Sequence, residues 1–374
     1  MQHYDVAIVG GGIAGLSLAY FLAPQRSVVV LERESAHGYH STGRSAAEFT
    51  LRDNTPAVNA LARVSHAFMS DPPAEFTTVP LLTRRGSLWI GEAGKEEAVD
   101  SARRKAQASG ADVVALTVEE AVARAPFLDP TYVAAAYFDP DYWDIDVDAL
   151  LQGYARGARR FGAELLTGSE LVRARHEDGL WQIETSRVHL SAGLLVNAGG
   201  GWADAIAQIC GVTPAGIVPH RRTAITVNLP DGIDASALPE INEIEETYYF
   251  KPDAGRLLAS PADETPCEPA DVQPEEIDIA YAAHYLQEAT TLSIGRIASS
   301  WAGMRSFSAD RLPVVGPARD NPAFFWLAGQ GGYGILTSPA LGRLAAHLLT
   351  GTPLPPVFVR EGVEPASFSP ARFG

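Results

Sequence analysis

The first residues that could do chemistry are three glycines near the amino terminus. They occur in VAIVGGGIAG as Gly10-x-Gly12-x-x-Gly15, after an apolar run of strand length and before an Ala/Leu-rich run that predicts a helix. A second strand-like run ends at Glu32. Dinucleotide binding requires this order, because glycine permits a tight turn, close approach to a pyrophosphate and close packing of helix on strand. The helix amino terminus offers N–H groups to the phosphates, and Glu32 would accept hydrogen bonds from a ribose.

Two further segments suit the remainder of a long ligand. The first is GYHSTGRSAAEFTLRD at 38–53, whose small residues let the chain lie close to a flat ring and whose Arg44 can neutralise a diphosphate. An ordinary loop with a surface arginine is the alternative interpretation. The second is GQGGYGI at 329–335, a Gly-rich loop before a helix, whose N–H groups could stabilise negative charge on a reduced flavin. Two such loops at opposite ends of the chain suit a ligand as long as FAD.

The elements that must position these segments indicate an α/β fold. Residues 4–34 predict a strand, a helix over Ile13–Leu22 and a second strand, and 149–161 predicts an amphipathic helix. Between about 216 and 300, acidic residues and prolines accumulate among short alternating strands, which indicates an inserted antiparallel domain. We expect an FAD-binding domain from 1–80, 145–215 and 300–374, and a substrate-binding domain from 81–144 and 216–299.

Composition excludes several classes of function. The 374 residues carry a formal net charge of −16, which disfavours nucleic acid and anionic membrane surfaces as partners. The two cysteines, Cys210 and Cys267, lie in no CxxC pattern, and no metal site is expected. No apolar run approaches the roughly 20 residues of a membrane span, and the sequence enters a strand pattern at once without a signal-peptide pattern. We therefore expect a cytoplasmic protein without stable membrane insertion.

Six segments occur in an order typical of one group of flavoenzymes: VGGGIAG, LERE, HSTGRSAA, VNAGGGWADAIA, WAGMRSFSADRLPVVG and GQGGYGI. From end to end the chain resembles the D-amino-acid oxidase family, which includes glycine and sarcosine oxidases. GYHSTGRSAA, DIDVDALLQGYARG and KPDAGRLLASPA are similar to its D-amino-acid dehydrogenase branch, and most of all to bacterial D-arginine dehydrogenase. The resemblance implies a mixed α/β fold: a Rossmann-like FAD-binding domain of the glutathione-reductase type with an inserted antiparallel-sheet substrate domain.

The resemblance also implies roles for individual residues. Arg222 and Arg305 match the family's carboxylate clamps, Tyr249 its substrate-binding tyrosine, and Gly332 the position whose carbonyl receives the substrate amine. The expected FAD contacts are Gly10, Gly12, Ile13, Ala14, Gly15, Glu32, Arg33, Thr42, Gly43, Arg44, Ser45, Ala46, Ala47, Val172, Ala198, Gly199, Trp202, Gly303, Arg305, Gly329, Gly331, Gly332, Tyr333, Gly334 and Ile335. We expect non-covalent FAD, since the covalent sarcosine oxidases use a cysteine shortly after the MRSF-like segment and this chain has none there.

The chain departs from the D-arginine dehydrogenase pattern around the substrate. Glu48 stands where that pattern has histidine, Asp53 where it has a substrate-contacting tyrosine, and Ser87 where a glutamate receives the guanidinium. Glu240 and Asn242 replace apolar positions. The main determinant of arginine preference is therefore missing, while three carboxylates are added.

Two hypotheses follow from the added carboxylates. In the first, Glu48, Asp53 and Glu240 form a site for a substrate with a cationic side chain. In the second, they are solvated or paired with Arg52, Arg84 or Arg85, and the substrate is neutral or polar. A buried carboxylate needs a cationic partner or a raised pKa, and we narrowly favour the first hypothesis.

The resemblance implies oxidative deamination of a D-amino acid to the 2-oxo acid and ammonia, by hydride transfer from Cα to flavin N5. Glu48 and Asp53 are the candidate acidic residues of the catalytic site. The expected partners are a small amino acid substrate and an electron acceptor, either a respiratory quinone or O2. A sarcosine- or glycine-type amine oxidase and a 2-hydroxy-acid dehydrogenase are the alternatives, and a flavin-binding module without turnover is the non-enzymatic one. A tRNA-modifying relative is disfavoured by the negative net charge.

Overall fold

A computed structural model describes residues 2–52 and 54–373, so the candidate Asp53 lies outside the described residues. The strands, in chain order, are β1 (Gln2–Val9), β2 (Val28–Leu31), β3 (Glu48–Thr50), β4 (Leu82–Arg84), β5 (Ser87–Gly91), β6 (Val114–Leu116), β7 (Ala135–Asp139), β8 (Tyr142–Ile145), β9 (Glu164–Leu166), β10 (Leu171–Glu177), β11 (Leu180–Thr185), β12 (His189–Asn197), β13 (Val218–Asn228), β14 (Glu240–Glu243), β15 (Tyr249–Asp253), β16 (Arg256–Ser260), β17 (Thr265–Pro266), β18 (Ser299–Phe307), β19 (Val314–Pro317), β20 (Phe324–Ala328) and β21 (Gln330–Gly331). The helices are α1 (Ile13–Leu22), α2 (Pro56–Ser70), α3 (Glu96–Ala108), α4 (Val118–Arg124), α5 (Val147–Arg160), α6 (Ala203–Ile209), α7 (Glu276–Ala289), α8 (Ser338–Thr350) and α9 (Pro356–Arg360).

The first sheet is built around the predicted βαβ unit. β1 pairs in parallel with β2 and with β12, and β9 and β20 extend this parallel core on its two sides. β10 and β11 continue from β12 as an antiparallel hairpin. The four residues of β2 are all buried, as expected for a strand covered on both faces. α1, α5 and α8 pack together beside it and share one apolar core.

The second sheet is mostly antiparallel and carries the substrate-side residues. Its order is β21-β18-β13-β16-β15-β14-β5-β7-β6, with β17 added to β13. Only the β14–β5 pair within this order is parallel among the described strands. β3, β8 and β4 form a small third sheet beside it.

Local signals in the sequence place several elements correctly. α1 spans the predicted Ile13–Leu22, and Thr117 and Glu120 form a capping box that starts α4. Ala254 and Gly255, in the turn between β15 and β16, adopt φ angles of 47° and 79°. Gly351 ends α8 in the left-handed region with φ 66°.

The predicted division into two domains stays a prediction, and the strand pairing bears on one of its boundaries. All of β18 except Ser299 falls within the range assigned to FAD binding, yet β18 pairs along its length with β13 of the second sheet. Both cysteines are free thiols. Across residues 2–52 and 54–373 there is no helix with the length and apolar character needed to cross a membrane.

Candidate active site

A cavity of about 260 Å³ opens at the carboxyl ends of the parallel strands β1, β2 and β12. Open parallel sheets bind ligands at this edge. The cavity runs from Glu32 and Arg33, which follow β2, to the Gly-rich loop before α8. The predicted FAD contacts that line it are Gly10, Gly12, Ile13, Ala14, Glu32, Arg33, Thr42, Arg44, Ser45, Ala46, Ala198, Gly199, Trp202, Gly303, Arg305, Gly329, Gly331, Gly332, Gly334 and Ile335.

Each of the three motif glycines is required or tolerated in the turn for a different steric reason. Gly10 has φ 109°, and a Cβ there would lie 2.3 Å from the carbonyl oxygen of Ala198. A Cβ on Gly15 would lie 1.9 Å from the carbonyl oxygen of Gly10, so this glycine lets α1 pack on the turn. A Cβ on Gly12 would meet only Thr42 Oγ1, at 3.4 Å, because this position faces the cavity. The turn is thus shaped to leave room for a ligand beside Gly12.

Glu32 organises the turn as well as lining the cavity. Its carboxylate accepts hydrogen bonds from the backbone N–H of Gly11 at 2.7 Å and of Glu34 at 2.9 Å. Burial raises its pKa, and these two hydrogen bonds act in the opposite direction. The remaining lone pairs of the carboxylate leave capacity for a ribose hydroxyl.

The loop that carries Arg44 is tied to the second sheet. The Arg44 guanidinium donates to the carbonyl oxygens of Val272 at 3.0 Å and Ala302 at 3.1 Å, and it pairs with Asp271. Trp301 Nε1 donates to the carbonyl oxygen of Arg44 at 3.1 Å. Arg44 therefore holds the loop in place, and the charge predicted for a diphosphate is already partnered by Asp271.

The residues present fit an FAD molecule. The glycine turn supplies a cradle that a Cβ would fill, and the cavity extends from a ribose-binding acid to a second Gly-rich loop. Two buried nitrogens on its wall, His40 Nδ1 and Gln330 Nε2, have no hydrogen-bond partner within residues 2–52 and 54–373. Unpartnered buried polar atoms at a cavity wall are what a polar ligand would satisfy.

A second lobe of about 370 Å³ joins this cavity. Four of the predicted catalytic residues line both lobes, namely Arg222, Tyr249, Arg305 and Gly332. Glu48 lines the second lobe only. The predicted substrate residues are thus brought together where the two lobes meet.

Strand register explains how Arg222 and Arg305 converge. Arg305 on β18 lies opposite His220 on β13, and Arg222 is two residues further along β13. Side chains two residues apart share a sheet face, so both guanidiniums project from one side as diagonal neighbours. A Cβ on Gly332 would lie 3.2 Å from Arg305 Nη1, which places the Gly332 loop against this guanidinium.

The two guanidiniums differ in their partners. Arg222 Nε donates to the carbonyl oxygen of Asp263 at 2.7 Å, and Arg222 lies 3.5 Å from Glu264. Burial, followed by the nearby positive charge of Arg305, lowers the pKa of Arg222. Arg305 has no carboxylate within ion-pair distance in the described part of the chain. Two partly buried cations with a shortage of anionic partners form a site for a carboxylate.

Glu48 and Glu240 are not paired with the arginines that the second hypothesis named, and Asp53 lies outside the described residues. Arg52 pairs with Asp139 and Asp141, Arg84 with Asp141, and Arg85 with Asp144. None of these ion pairs involves Glu48 or Glu240, which instead contact each other. Asn242 donates to Ser87 Oγ at 3.0 Å, so these two substituted positions satisfy one another.

A few predicted FAD contacts lie off the first cavity. Val172 is 54 % exposed and does not line the cavity, whereas the preceding Ser169, Glu170 and Leu171 do. Gly43 is exposed, and Gly15 lies behind the turn. Ala47 and Tyr333 line the second lobe.

Sequence reasoning missed a salt bridge at the rim of the second lobe. Arg311 donates to both oxygens of Glu264, at 2.9 and 3.0 Å, and its guanidinium lies 3.7 Å from the ring centroid of Phe307. Arg311 and Gln330 both fall inside segments that carry the family resemblance, which was the available signal. Glu264 lies in no such segment. It lies between β16 and β17, whereas its partner Arg311 lies between β18 and β19.

Comparison with known proteins decides the family. Residues 5–348 match the model of the protein family described as "DAO: FAD dependent oxidoreductase". The chain belongs to this family. The expected fold and FAD dependence are thereby confirmed, and the protein is an FAD-dependent oxidoreductase.

Several relatives of this FAD-dependent oxidoreductase cover nearly all of it. It is 26 % identical to glycine oxidase of Geobacillus kaustophilus (strain HTA426), over 93 % of this chain and 94 % of the relative. Dimethylglycine dehydrogenase from human mitochondria is 25 % identical over 93 % of this chain and 43 % of its own length. The solved structure of Geobacillus kaustophilus glycine oxidase superposes with a TM-score of 0.82 at 24 % identity, covering 99 % of this chain and 98 % of that one. L-proline dehydrogenase from P. horikoshii gives a TM-score of 0.83 at 23 % identity, covering 100 % and 98 %.

Proposed function

We propose that this FAD-dependent oxidoreductase oxidises the Cα–N bond of a D-amino acid with a cationic or polar side chain. The observation that carries the proposal is the pair of guanidiniums, Arg222 and Arg305, on one sheet face where the two lobes meet. Tyr249 lines the same junction. An α-carboxylate is the anion that would complete this site in an amino acid substrate.

The clamp would fix the substrate before the reaction. Charge-assisted hydrogen bonds from Arg222 and Arg305 to a carboxylate stabilise binding by roughly 1.5–3 kcal/mol each. The Tyr249 hydroxyl can donate a third hydrogen bond. Holding the carboxylate at fixed points restricts the position of Cα, which makes the following step effectively intramolecular.

The Gly332 loop would orient the amine. Gly332 lies against Arg305, so its backbone carbonyl is near the end of the clamp and can accept a hydrogen bond from the substrate nitrogen. Bound FAD supplies an acceptor for the hydride that leaves Cα. The released imino acid hydrolyses in water to a 2-oxo acid and ammonia.

The D configuration is supported by the motifs GYHSTGRSAA and KPDAGRLLASPA, which are similar to the D-amino-acid dehydrogenase branch. A glycine- or sarcosine-type amine oxidase is the second candidate. It is favoured by the similarity to glycine oxidase, dimethylglycine dehydrogenase and sarcosine oxidase subunit beta. Both candidates use the same carboxylate clamp and differ in the substituents on Cα and nitrogen.

We also propose that FAD is held without a covalent bond. Burial raises the pKa of the Cys210 thiol to about 12, and neither Cys210 nor Cys267 lines the cavity. A thiolate is the reactive form of cysteine, so Cys210 is poorly suited to attack. Acid precipitation is expected to release all of the yellow colour into the supernatant, and colour in the pellet would contradict the proposal.

Anaerobic mixing of the holoenzyme with defined substrates tests the proposed function. The panel contains D- and L-amino acids, glycine, sarcosine and a 2-hydroxy acid, and the visible absorption of oxidised flavin is followed. We expect bleaching by D-amino acids with polar or cationic side chains. Bleaching by glycine or sarcosine alone would replace the proposal by the second candidate, and absence of bleaching by every amine would contradict both.

Admitting air afterwards identifies the electron acceptor. Rapid return of the absorption would make the enzyme an oxidase that uses O2. Persistence of the bleached state until a quinone is added would make it a dehydrogenase.

A further inference from the structure

A network of five ionisable side chains extends inward from Glu48, on the wall of the second lobe. Glu48 on β3 and Asp144 on β8 are paired residues of the small third sheet, while Glu240 on β14 and Lys251 on β15 belong to the second sheet. Lys251 Nζ lies 2.9 Å from Asp144 Oδ1, and Arg85 pairs with the other oxygen of Asp144. The network therefore joins two sheets through buried charges.

Glu240 is the deepest acid of this network. It is only 2 % exposed and does not line the lobe, whereas the Glu48 to which it hydrogen-bonds does. Asn242 lies opposite Tyr249 in the β14–β15 pair, so Glu240, two residues from Asn242, projects from the substrate-binding face. Glu48 stands between Glu240 and the lobe.

A hydrogen bond between two carboxyl groups requires a proton on one of them, because an ionised carboxylate can only accept. Glu240 is only 2 % exposed and Glu48 lines the lobe, so the charged form costs more at Glu240, which we take as the residue that holds the proton. Burial, and then the adjacent charge of Glu48, raise the pKa of Glu240 in agreement with this placement. With Glu240 neutral, the positive charges of Lys251 and Arg85 balance the negative charges of Asp144 and Glu48. A second ionised glutamate would leave one buried negative charge without a partner.

We propose that Glu240 carries a proton that it donates to Glu48, and that this proton makes the lobe wall neutral overall and sets the charge preference for substrate side chains. This inference rests on the proposed function and refines its substrate class. A neutral polar side chain can bind beside Glu48 without changing the network. A cationic side chain adds one positive charge, which is balanced only when the Glu240 proton leaves to solvent.

The consequence is a preference that depends on pH. At neutral pH a neutral polar D-amino acid is favoured over a cationic one of the same shape. As pH rises, the proton is released more readily and the cationic substrate gains. One linked proton changes the ratio of the two kcat/KM values by up to about tenfold per pH unit.

D-citrulline and D-arginine provide the comparison, because they have similar shapes and differ in side-chain charge. The ratio of kcat/KM for D-citrulline to that for D-arginine is measured against pH on the holoenzyme, and it is expected to exceed one at neutral pH and to fall as pH rises. Protonation of the α-amino group largely cancels in this ratio. A ratio independent of pH would overturn the inference.

Glu240→Gln fixes the neutral state, since its amide still donates to Glu48 without a titrating proton. The variant is expected to keep the preference for D-citrulline and to lose the pH dependence of the ratio. Glu92→Gln, which removes a half-exposed carboxyl paired with Lys95, is the control and should retain the wild-type slope. A wild-type slope in Glu240→Gln would contradict the assignment of the proton to Glu240.

Infrared spectroscopy tests the proton without any substrate. The holoenzyme at neutral pH is expected to show a protonated-carboxyl C=O stretch that shifts in D2O and is missing from Glu240→Gln. No such difference would overturn the inference. Oxidation of sarcosine but of neither D-amino acid would contradict the proposed function, while the infrared difference would still decide the state of Glu240.

Discussion

At the scale of single residues, function depends on which charges are already partnered. Arg44 has Asp271 and two backbone carbonyls, so its charge is committed to holding a loop. Arg305 has no ion-pair partner within residues 2–52 and 54–373, although it lies at the same cavity. Both arginines lie in family motifs of the sequence, and only the contacts show that Arg44 is partnered while Arg305 has a charge available for the proposed carboxylate.

Arg305→Lys is expected to weaken substrate capture. Lysine keeps the charge but loses the forked geometry that matches a carboxylate, so one charge-assisted hydrogen bond of roughly 1.5–3 kcal/mol is lost. This corresponds to a fall in kcat/KM of about ten- to a hundredfold in steady-state kinetics. Arg296→Lys, at an exposed position, is the control. Equal kcat/KM values for Arg305→Lys and the wild type would show that Arg305 does not bind the carboxylate.

Gly12→Ala is expected to weaken FAD binding without unfolding the protein. The added methyl would be 3.4 Å from Thr42 Oγ1 and otherwise faces the cavity, at a φ of −78° that alanine adopts freely. Steric conflict in a packed site costs typically about 1–3 kcal/mol, which predicts a rise in the FAD dissociation constant of about five- to a hundredfold. Titration of the apoprotein with FAD measures it. Gly295→Ala, where no atom lies within 4 Å, should bind like the wild type.

At the scale of elements, the loop between β2 and β3 is fastened near its carboxyl end by residues of the second sheet and the segment after β17. Arg44 donates to the carbonyl oxygens of Val272 and Ala302, and Lys251 Nζ donates to the carbonyl oxygens of Ala46 at 3.1 Å and Ala47 at 3.3 Å. The segment is too small and polar to pack a core of its own. Its shape at the cavity is therefore imposed by side chains that reach it from distant strands.

Lys251→Met is expected to destabilise the holoenzyme. Lys251 is only 5 % exposed, and its removal leaves two loop carbonyls and a share of the Asp144 charge without a donor. Breaking a buried pair on one side costs roughly 3–5 kcal/mol in the free energy of unfolding. Chemical denaturation in saturating FAD measures the change, with the exposed Lys105→Met as control. A decrease of less than about 1 kcal/mol in the free energy of unfolding would mean that Lys251 does not hold the loop in place.

At the scale of the whole molecule, the candidate active site lies where two sheets of different construction meet. The parallel sheet supplies the glycine turn and Glu32, and the antiparallel sheet supplies Arg222, Tyr249 and Arg305. The small third sheet closes the far side of the second lobe through Glu48 and Tyr142. Because titratable groups are buried where these sheets meet, we expect the free energy of unfolding to depend on pH.

Glu240→Gln is expected to change how stability depends on pH. A carboxyl whose pKa is raised in the folded state stabilises the fold at pH values below its unfolded pKa, and this contribution is lost as pH rises through the raised value. The wild type should therefore lose stability relative to Glu240→Gln as pH increases above the ordinary range for glutamate. Melting temperatures of both proteins across that range test it, with Glu92→Gln as the control. Parallel curves for Glu240→Gln and the wild type would contradict a neutral Glu240.

The sequence by itself determined the parts that depend on local order. The spacing of Gly10, Gly12 and Gly15 between a strand and a helix is a local steric requirement, and the structure meets it through close backbone contacts. The capping box of α4 and the left-handed Gly351 follow from hydrogen bonds and backbone freedom within a few residues. The family motifs determined the fold and FAD dependence for the same reason, since each is a contiguous segment.

Only the tertiary structure decided how charges are paired. Arg222 and Arg305 meet because β13 and β18 pair in one antiparallel register, and a shift of one residue would turn one of them to the opposite face. Glu48 and Glu240 meet because two separate sheets approach each other at the second lobe. Ionic and hydrogen-bonding partners depend on distances across the fold, which the order of residues along the chain does not contain.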